Sequence, residues 1–323
     1  MAPIPVLLGT APFGTPENGG RVTTTAAVQE LVDLLLQYGH NGIDTAHAYC
    51  QGTSQQLVGT VDLRGALRVD TKILAATPGD HSPQRLKELF KICSDALKGK
   101  KIRVLYLHAP DRSVPYEDTL EGINEIWKAG GFEQFGMSNF TAWEVAEIVG
   151  ICKRRGFVPP TVCQGGYNII ERNVEAELLP CLRKFGIKFA AYCPLAGGYL
   201  TNSFFVPDDT KDAPLPNYDS EKYPASFFYK ARYENPLTMA AVAELLRVVK
   251  AHNLTLSEVA LRWLQRHSKL QPSDHGIVMA ADNKEQLETN LLDCEKGPLP
   301  ESIIEACDEA WRKAKPASSN YWI

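Results

Sequence analysis

The feature that most constrains this chain is an alternation running through nearly all of it, in which short β-rich stretches are separated by longer stretches of helical period. Eight β-rich stretches stand out: Val6–Gly9, Gly42–Asp44, Leu67–Lys72, Ile102–Leu107, Gln134–Met137, Thr161–Cys163, Lys188–Ala191 and Gly276–Met279. Between them apolar residues recur at i, i+3 and i+4, as in Leu86, Leu89, Phe90, Cys93 and Leu97. Repeated βα units imply a parallel sheet, and eight of them close into a barrel with the helices outside. The predicted fold is α/β, a (β/α)8 TIM barrel spanning residues 1–323 as a single domain, a length that this architecture readily accommodates.

Local signals support the helices. Ser82-Pro83 puts a capping residue before a proline at the first helical position, and Thr141 can cap a helix running to Val149. One stretch breaks the rhythm. Leu200–Asn235 is too long for an ordinary connection and is predicted to be a functional loop after the seventh strand. A last helix over Glu301–Lys313 precedes a polar tail, Pro316–Ile323, whose Asn320-Tyr321-Trp322 predicts docking over the pocket.

Bulk properties narrow the partners. With a net charge of −4 and a pI near 6.0, the chain has no electrostatic footprint for nucleic acid or an anionic membrane surface. The longest apolar runs, such as Leu31–Leu36 with Asp33 inside it, fall far short of the ~20 residues of a spanning helix. Met1–Gly14 lacks the basic and apolar regions of a secretory signal, and the eight cysteines show no Cys-x-x-Cys and no paired framework. A cytoplasmic protein with reduced thiols is expected. The seven histidines show no ligand spacing for a catalytic metal, and neither Gly-x-Gly-x-x-Gly nor a P-loop motif occurs.

Barrel enzymes build their sites at the carboxyl ends of the strands. Those ends carry Asp44 with Tyr49, then Lys72, His108, Ser138 with Asn139, Gln164, Tyr192, and Ala280 with Asp282. Turn residues alone would not supply an ionisable Asp, Tyr, Lys and His in that order. The stretch Gly39-His40-Asn41-Gly42-Ile43-Asp44-Thr45-Ala46 followed by Tyr49 resembles the first signature of the aldo-keto reductases. Asp70-Thr71-Lys72-Ile73, Leu105-Tyr106-Leu107-His108-Ala109-Pro110-Asp111, Phe135-Gly136-Met137-Ser138-Asn139-Phe140, Gln164-Gly165-Gly166-Tyr167-Asn168 and Tyr192-Cys193-Pro194-Leu195-Ala196-Gly197-Gly198 follow in order, so the likeness runs from about Gly9 to the end. The short start, Tyr106-Leu107-His108-Ala109-Pro110-Asp111 and Leu195-Ala196-Gly197-Gly198 are most similar to the aflatoxin-aldehyde reductase branch.

The chemistry explains the residue types. Reducing a carbonyl requires hydride at carbon and a proton at oxygen, and nicotinamide supplies only the hydride. Tyr49 is the expected proton donor, although a free phenol titrates near ~10. A cation about 4 Å away at an effective dielectric near 20 stabilises phenolate by roughly 4 kcal/mol, so Lys72 is expected to bring Tyr49 towards neutrality, with Asp44 holding Lys72 in place. The resemblance implies that His108 orients the carbonyl, with service as the donor for some substrates as the alternative.

The resemblance also implies NADPH as the cofactor. Ser138, Asn139 and Gln164 match positions that bind the nicotinamide carboxamide, and Tyr192 matches the aromatic that stacks on its ring. Pro194, Leu195, Gly197, Gly198 and Leu200 would run along the pyrophosphate, with Ala281, Gln286 and Asn290 at the adenosine end. Two departures bear on this. Gln286 stands where many members carry an Arg for the 2′-phosphate, and Asp282 near the ribose would favour NADH, the less favoured cofactor. Tyr229 and Arg232 match pocket positions, where in the branch an Arg pairs with carboxylate-bearing aldehydes; Trp322 stands near the end, where the branch can carry a terminal Arg. The exchange of cation for indole predicts bulkier apolar or aromatic carbonyl substrates. Two other readings stay open: a cofactor-binding regulatory subunit of the channel β-subunit type, and a Schiff-base barrel lyase using Lys72. A monomer or homodimer is expected.

Overall fold

The computed structural model describes residues 3–201 and 225–323. Eight strands, β1 Val6–Gly9, β2 Gly42–Asp44, β3 Arg68–Ile73, β4 Ile102–Leu107, β5 Phe132–Ser138, β6 Pro160–Gly166, β7 Lys188–Tyr192 and β8 Gly276–Met279, pair in sequence order, all parallel, and β8 closes on β1. Eleven helices appear among the described residues: α1 Thr25–Gln37, α2 Thr53–Thr60, α3 Pro83–Ala96, α4 Tyr116–Lys128, α5 Ala142–Arg155, α6 Leu178–Phe185, α7 Ala225–Tyr233, α8 Pro236–Ala251, α9 Leu256–Arg266, α10 Lys284–Glu295 and α11 Glu301–Ala314. The predicted TIM barrel is therefore the observed one.

Four strands extend or shift relative to the sequence expectation. β5, β6 and β7 run on at their carboxyl ends into Ser138, Gln164–Gly166 and Tyr192, because ladder hydrogen bonds outlast the apolar run. β3 begins at Arg68, one residue later than expected, and carries a register shift at Val69/Asp70. The strands are buried on both faces, as a parallel barrel requires. Their outward faces and the helices form the main core, while Leu7, Val104, Tyr106, Val162, Ala190 and Val278 fill the barrel interior.

The helix signals act as their chemistry suggests, with one exception. Thr141 and Glu144 form a reciprocal capping box at the start of α5. Ser82 precedes Pro83 at the start of α3, but its side chain makes no capping bond. Within the expected loop Leu200–Asn235, residues 202–224 lie outside the described residues, whereas 225–233 are the helix α7. The tail is docked. Tyr321 is buried, its hydroxyl donates to Glu177 and accepts from the Ala142 amide at 3.1 Å, and the Ile323 amide reaches the Asn139 carbonyl at 3.2 Å. Among the described residues, no helix is long and apolar enough to cross a membrane.

Candidate active site

Three strand ends bring the ionisable residues together at the barrel mouth. Asp44 ends β2 and Lys72 lies near the end of β3, both fully buried. The loop between β2 and α2 is laid along β3 by its own backbone, with the Thr45 amide on the Asp70 carbonyl at 2.9 Å and the His47 amide on the Lys72 carbonyl at 3.0 Å. That fixes Tyr49 above Lys72. Immediately afterwards the chain turns through three consecutive left-handed residues, Cys50 (φ 46°), Gln51 (φ 54°) and Gly52 (φ 89°), of which only the glycine adopts that conformation freely.

All three protons of the Lys72 side chain have acceptors: the Asp44 carboxylate, the Thr45 carbonyl at 3.0 Å and the Tyr49 hydroxyl oxygen at 3.2 Å. The Asp44 carboxylate also accepts from Gln164 Nε2 at 2.8 Å. Because Tyr49 accepts from Lys72, its own hydrogen is free to point elsewhere. His108 meets the Tyr49 ring edge-on, with centroids 5.8 Å apart, and its buried Nδ1 has no partner.

The electrostatics correct one expectation. Burial first, then Asp44 and Cys193, push the Tyr49 phenol well above its ordinary value, so it is not drawn towards neutrality. Lys72 does not act on the phenol alone, because Asp44 offsets that cation and the dry surroundings disfavour phenolate. Tyr49 therefore holds its proton firmly until something at its oxygen asks for it. Burial, reinforced by Lys72, lowers His108 to about 3 and makes it a neutral imidazole.

The expected cofactor residues fall into three groups. Asn139, at φ 64°, braces the mouth: its Nδ2 donates to the His108 carbonyl at 2.8 Å and to Ser138 Oγ at 3.1 Å, and its Oδ1 accepts from the Tyr192 hydroxyl at 2.8 Å. The Gln164 amide nitrogen is taken by Asp44, leaving its oxygen for a ligand. In the turn after β7, Pro194 and Leu195 lead into Gly197 (φ 65°) and Gly198 (φ 109°), and a Cβ on Gly197 would fall 2.5 Å from Tyr229. Leu200 differs from expectation, because its side chain is wholly in the core and its amide is bound to the Leu195 carbonyl. Near α10, Ala281 is buried, Gln286 Oε1 accepts from the Asp282 amide at 2.7 Å, and Asn290 Nδ2 is buried without a partner. Arg21, absent from the sequence reading, pairs with Asp282 at 2.9 Å from 261 positions away.

The substrate residues are engaged differently from expectation. Arg232 is buried and paired with Glu171 rather than standing open to a ligand. Trp322 packs edge-on against Tyr321, with centroids 4.8 Å apart.

The aldo/keto reductase family model matches residues 5–312. The chain belongs to this family. It is 37% identical over 300 residues to an aldo-keto reductase of Pseudocercospora fijiensis, covering 90% of this chain and all of that protein. It is 36% identical over 322 residues to mouse aflatoxin B1 aldehyde reductase member 2, covering 96% of this chain and 86% of the relative. Human aldo-keto reductase family 7 member A3 is 35% identical, with 96% of each chain covered. The chain is thus similar to members of the aflatoxin-aldehyde branch, and it is an oxidoreductase acting on carbonyl groups with a nicotinamide cofactor.

Proposed function

We propose that this enzyme reduces an aldehyde or ketone to an alcohol with NADPH, and that Tyr49 delivers the proton to the carbonyl oxygen. The observation that carries this reading is the Lys72 hydrogen bond to the Tyr49 oxygen at 3.2 Å. It stabilises negative charge on that oxygen only as the proton leaves, which is where stabilisation accelerates a reaction. His108 is the weaker candidate for donor. With its folded value down to about 3, about one imidazole in ten thousand carries the extra proton at neutral pH, so its role is to orient the carbonyl as a neutral donor. The Schiff-base reading is disfavoured because Lys72 is wholly buried with each proton engaged.

The residues present fit a nicotinamide dinucleotide. Nicotinamide, when bound, supplies the hydride to the carbonyl carbon. Ser138, Asn139 and Gln164 would hold its carboxamide, Tyr192 would lie against its ring, and the Pro194–Gly198 turn would follow the pyrophosphate. Asn290 offers an unpartnered buried amide at the far end. There Arg21 neutralises Asp282, removing the carboxylate that would repel a 2′-phosphate, which supports NADPH over NADH. All of this lies on one barrel domain, as monomer or homodimer, and eight free thiols suit a cytoplasmic setting.

The test is to follow NADPH consumption across aldehydes, ketones and dicarbonyls, with Tyr49→Phe as the control and NADH as the rival cofactor. Unaltered turnover in Tyr49→Phe would overturn the mechanism, and a preference for NADH would overturn the cofactor.

A further inference from the structure

A second buried ion pair flanks the mouth, and the mechanism above does not use it. Glu171 follows β6 and is 2% exposed; Arg232, on α7, is 8% exposed. Arg232 donates through Nε at 2.9 Å and through Nη2 to Glu171 Oε1, while the Tyr233 hydroxyl donates to Oε2. Both carboxylate oxygens are therefore occupied. Glu171 is also fixed by its backbone, which exchanges hydrogen bonds with Asn168 at 3.1 and 3.2 Å, and Asn168 Nδ2 in turn donates to the Tyr233 oxygen at 3.2 Å. The arrangement depends on Gly166, where a Cβ would fall 2.5 Å from Glu171 Oε1 and 2.7 Å from Arg232 Nη2.

The location gives the pair its consequence. The Arg232 guanidinium lies 5.8 Å from the centre of the Tyr192 ring, and the Tyr192 hydroxyl bonds Asn139 across the mouth. One turn earlier on α7, Tyr229 packs on Gly197. A cation in this position would capture a carboxylate at the far end of a substrate, since guanidinium and carboxylate match in geometry and charge. Here that capacity is consumed internally. A substrate carboxylate would have to expel Glu171, leaving a buried carboxylate without its donors, and breaking a buried pair in that way is strongly unfavourable.

We propose that Glu171 is a built-in counter-ion that denies Arg232 to substrate carboxylates, so that this site selects uncharged aldehydes and ketones. Glu171 acts as a positioning residue through Arg232, and the proposal rests on the reductase reading. It goes beyond the exchange of a terminal cation for Trp322, because the selecting group lies in the barrel itself.

The test compares succinic semialdehyde with butanal, an uncharged aldehyde of the same chain length, on the full-length enzyme with NADPH. The wild type should favour butanal. In Glu171→Gln the ratio of kcat/KM for the semialdehyde over that for butanal should rise on the order of tenfold to a hundredfold, the worth of one charge-assisted bond. The gain should appear in KM for the semialdehyde. Glu171→Gln with Arg232→Gln should return the ratio to the wild-type value. A wild type that prefers the semialdehyde would overturn the proposal without recourse to any variant. An unmoved ratio in folded Glu171→Gln, or a gain that survives loss of Arg232, would do the same. If the wild type reduces neither aldehyde, nor any aldehyde, ketone or dicarbonyl of the wider set, the reductase reading fails instead, so the two failures are distinguishable.

Discussion

Strand β3 carries two residues two positions apart, Asp70 and Lys72, and each centres a buried cluster of charge, the first reaching down to the amino ends of β4 and β8 and the second up to the mouth. At the floor, Asp70 accepts from Arg103 Nε at 2.7 Å and Nη2 at 2.6 Å, and His275 Nε2 lies 2.7 Å away. Those partners hold the Asp70 carboxyl below its ordinary value even though burial pushes it up. At the mouth, Lys72 is equally well partnered, but the chain of partners ends on a tyrosine hydroxyl that has only Lys72 among the described residues, beside an imidazole Nδ1 with no partner. Buried charge alone therefore does not mark a catalytic site. The floor cluster is closed upon itself and holds strands together, whereas the mouth cluster keeps a donor in reserve.

The sharpest way to break this contrast is Tyr49→Phe. The expected loss in kcat is about a hundredfold to ten-thousandfold, with a stability cost of no more than about 1–2 kcal/mol, because the ring packing survives and only one Lys72 proton loses its acceptor. A large stability change in that variant would show that the mouth is structural after all. Asp70→Asn should do the reverse. It leaves Arg103 and His275 without their carboxylate and should cost about 3 kcal/mol by urea unfolding, the low end for a broken buried pair since Arg103 is 17% exposed. Loss of turnover without loss of stability would erase the distinction between the two ends.

Acid should separate the clusters by window. His108 is held at about 3 when folded but titrates near ~6.5 when unfolded, so the unfolded chain binds the proton that the fold refuses. Stability is then lost as pH falls from about 6.5 towards 3, and His81, lowered to about 4 by burial, adds to that loss. Asp70 has a depressed folded value, so its contribution is present above the unfolded value of 3.8 and disappears as pH falls through the lower folded one. Melting temperatures across pH should show His108→Asn flattening the upper window and Asp70→Asn the lower. Identical slopes in wild type and His108→Asn would refute the assignment. The smallest effect is expected outside both clusters, where Thr141→Ala removes a helix cap for about 1 kcal/mol and leaves kcat alone.

Much of this was legible in the sequence for a physical reason. Each βα unit repeats the same local pattern, so β1, β2, β4 and β8 are bounded as expected, and at the mouth β5, β6 and β7 run long where polar residues interrupt the apolar signal, while β5 and β6 also begin earlier at their amino ends. The meeting of Asp44, Tyr49, Lys72 and His108 at one mouth was legible because strand ends are short, ordered windows. What local patterns could not show is pairing across the fold. Arg232 meets Glu171 from 61 positions away, Arg103 and His275 meet Asp70 from 33 and 205, and none leaves a local trace. The Tyr49 correction has the same origin, since its proton affinity depends on Asp44 and burial as much as on Lys72.

The left-handed corner after Tyr49 has a consequence for redesign. Cys50 and Gln51 each sit in a conformation that costs an L-residue about 1–2 kcal/mol, and glycine at either position would relieve it. A thermostabilisation campaign would reach for these two positions early. Yet the same corner directly follows Tyr49, so if Tyr49 is the proton donor proposed above, heat tolerance and catalytic aim draw on one turn, and laboratory selection for either should pull residues 50 and 51 in opposite directions.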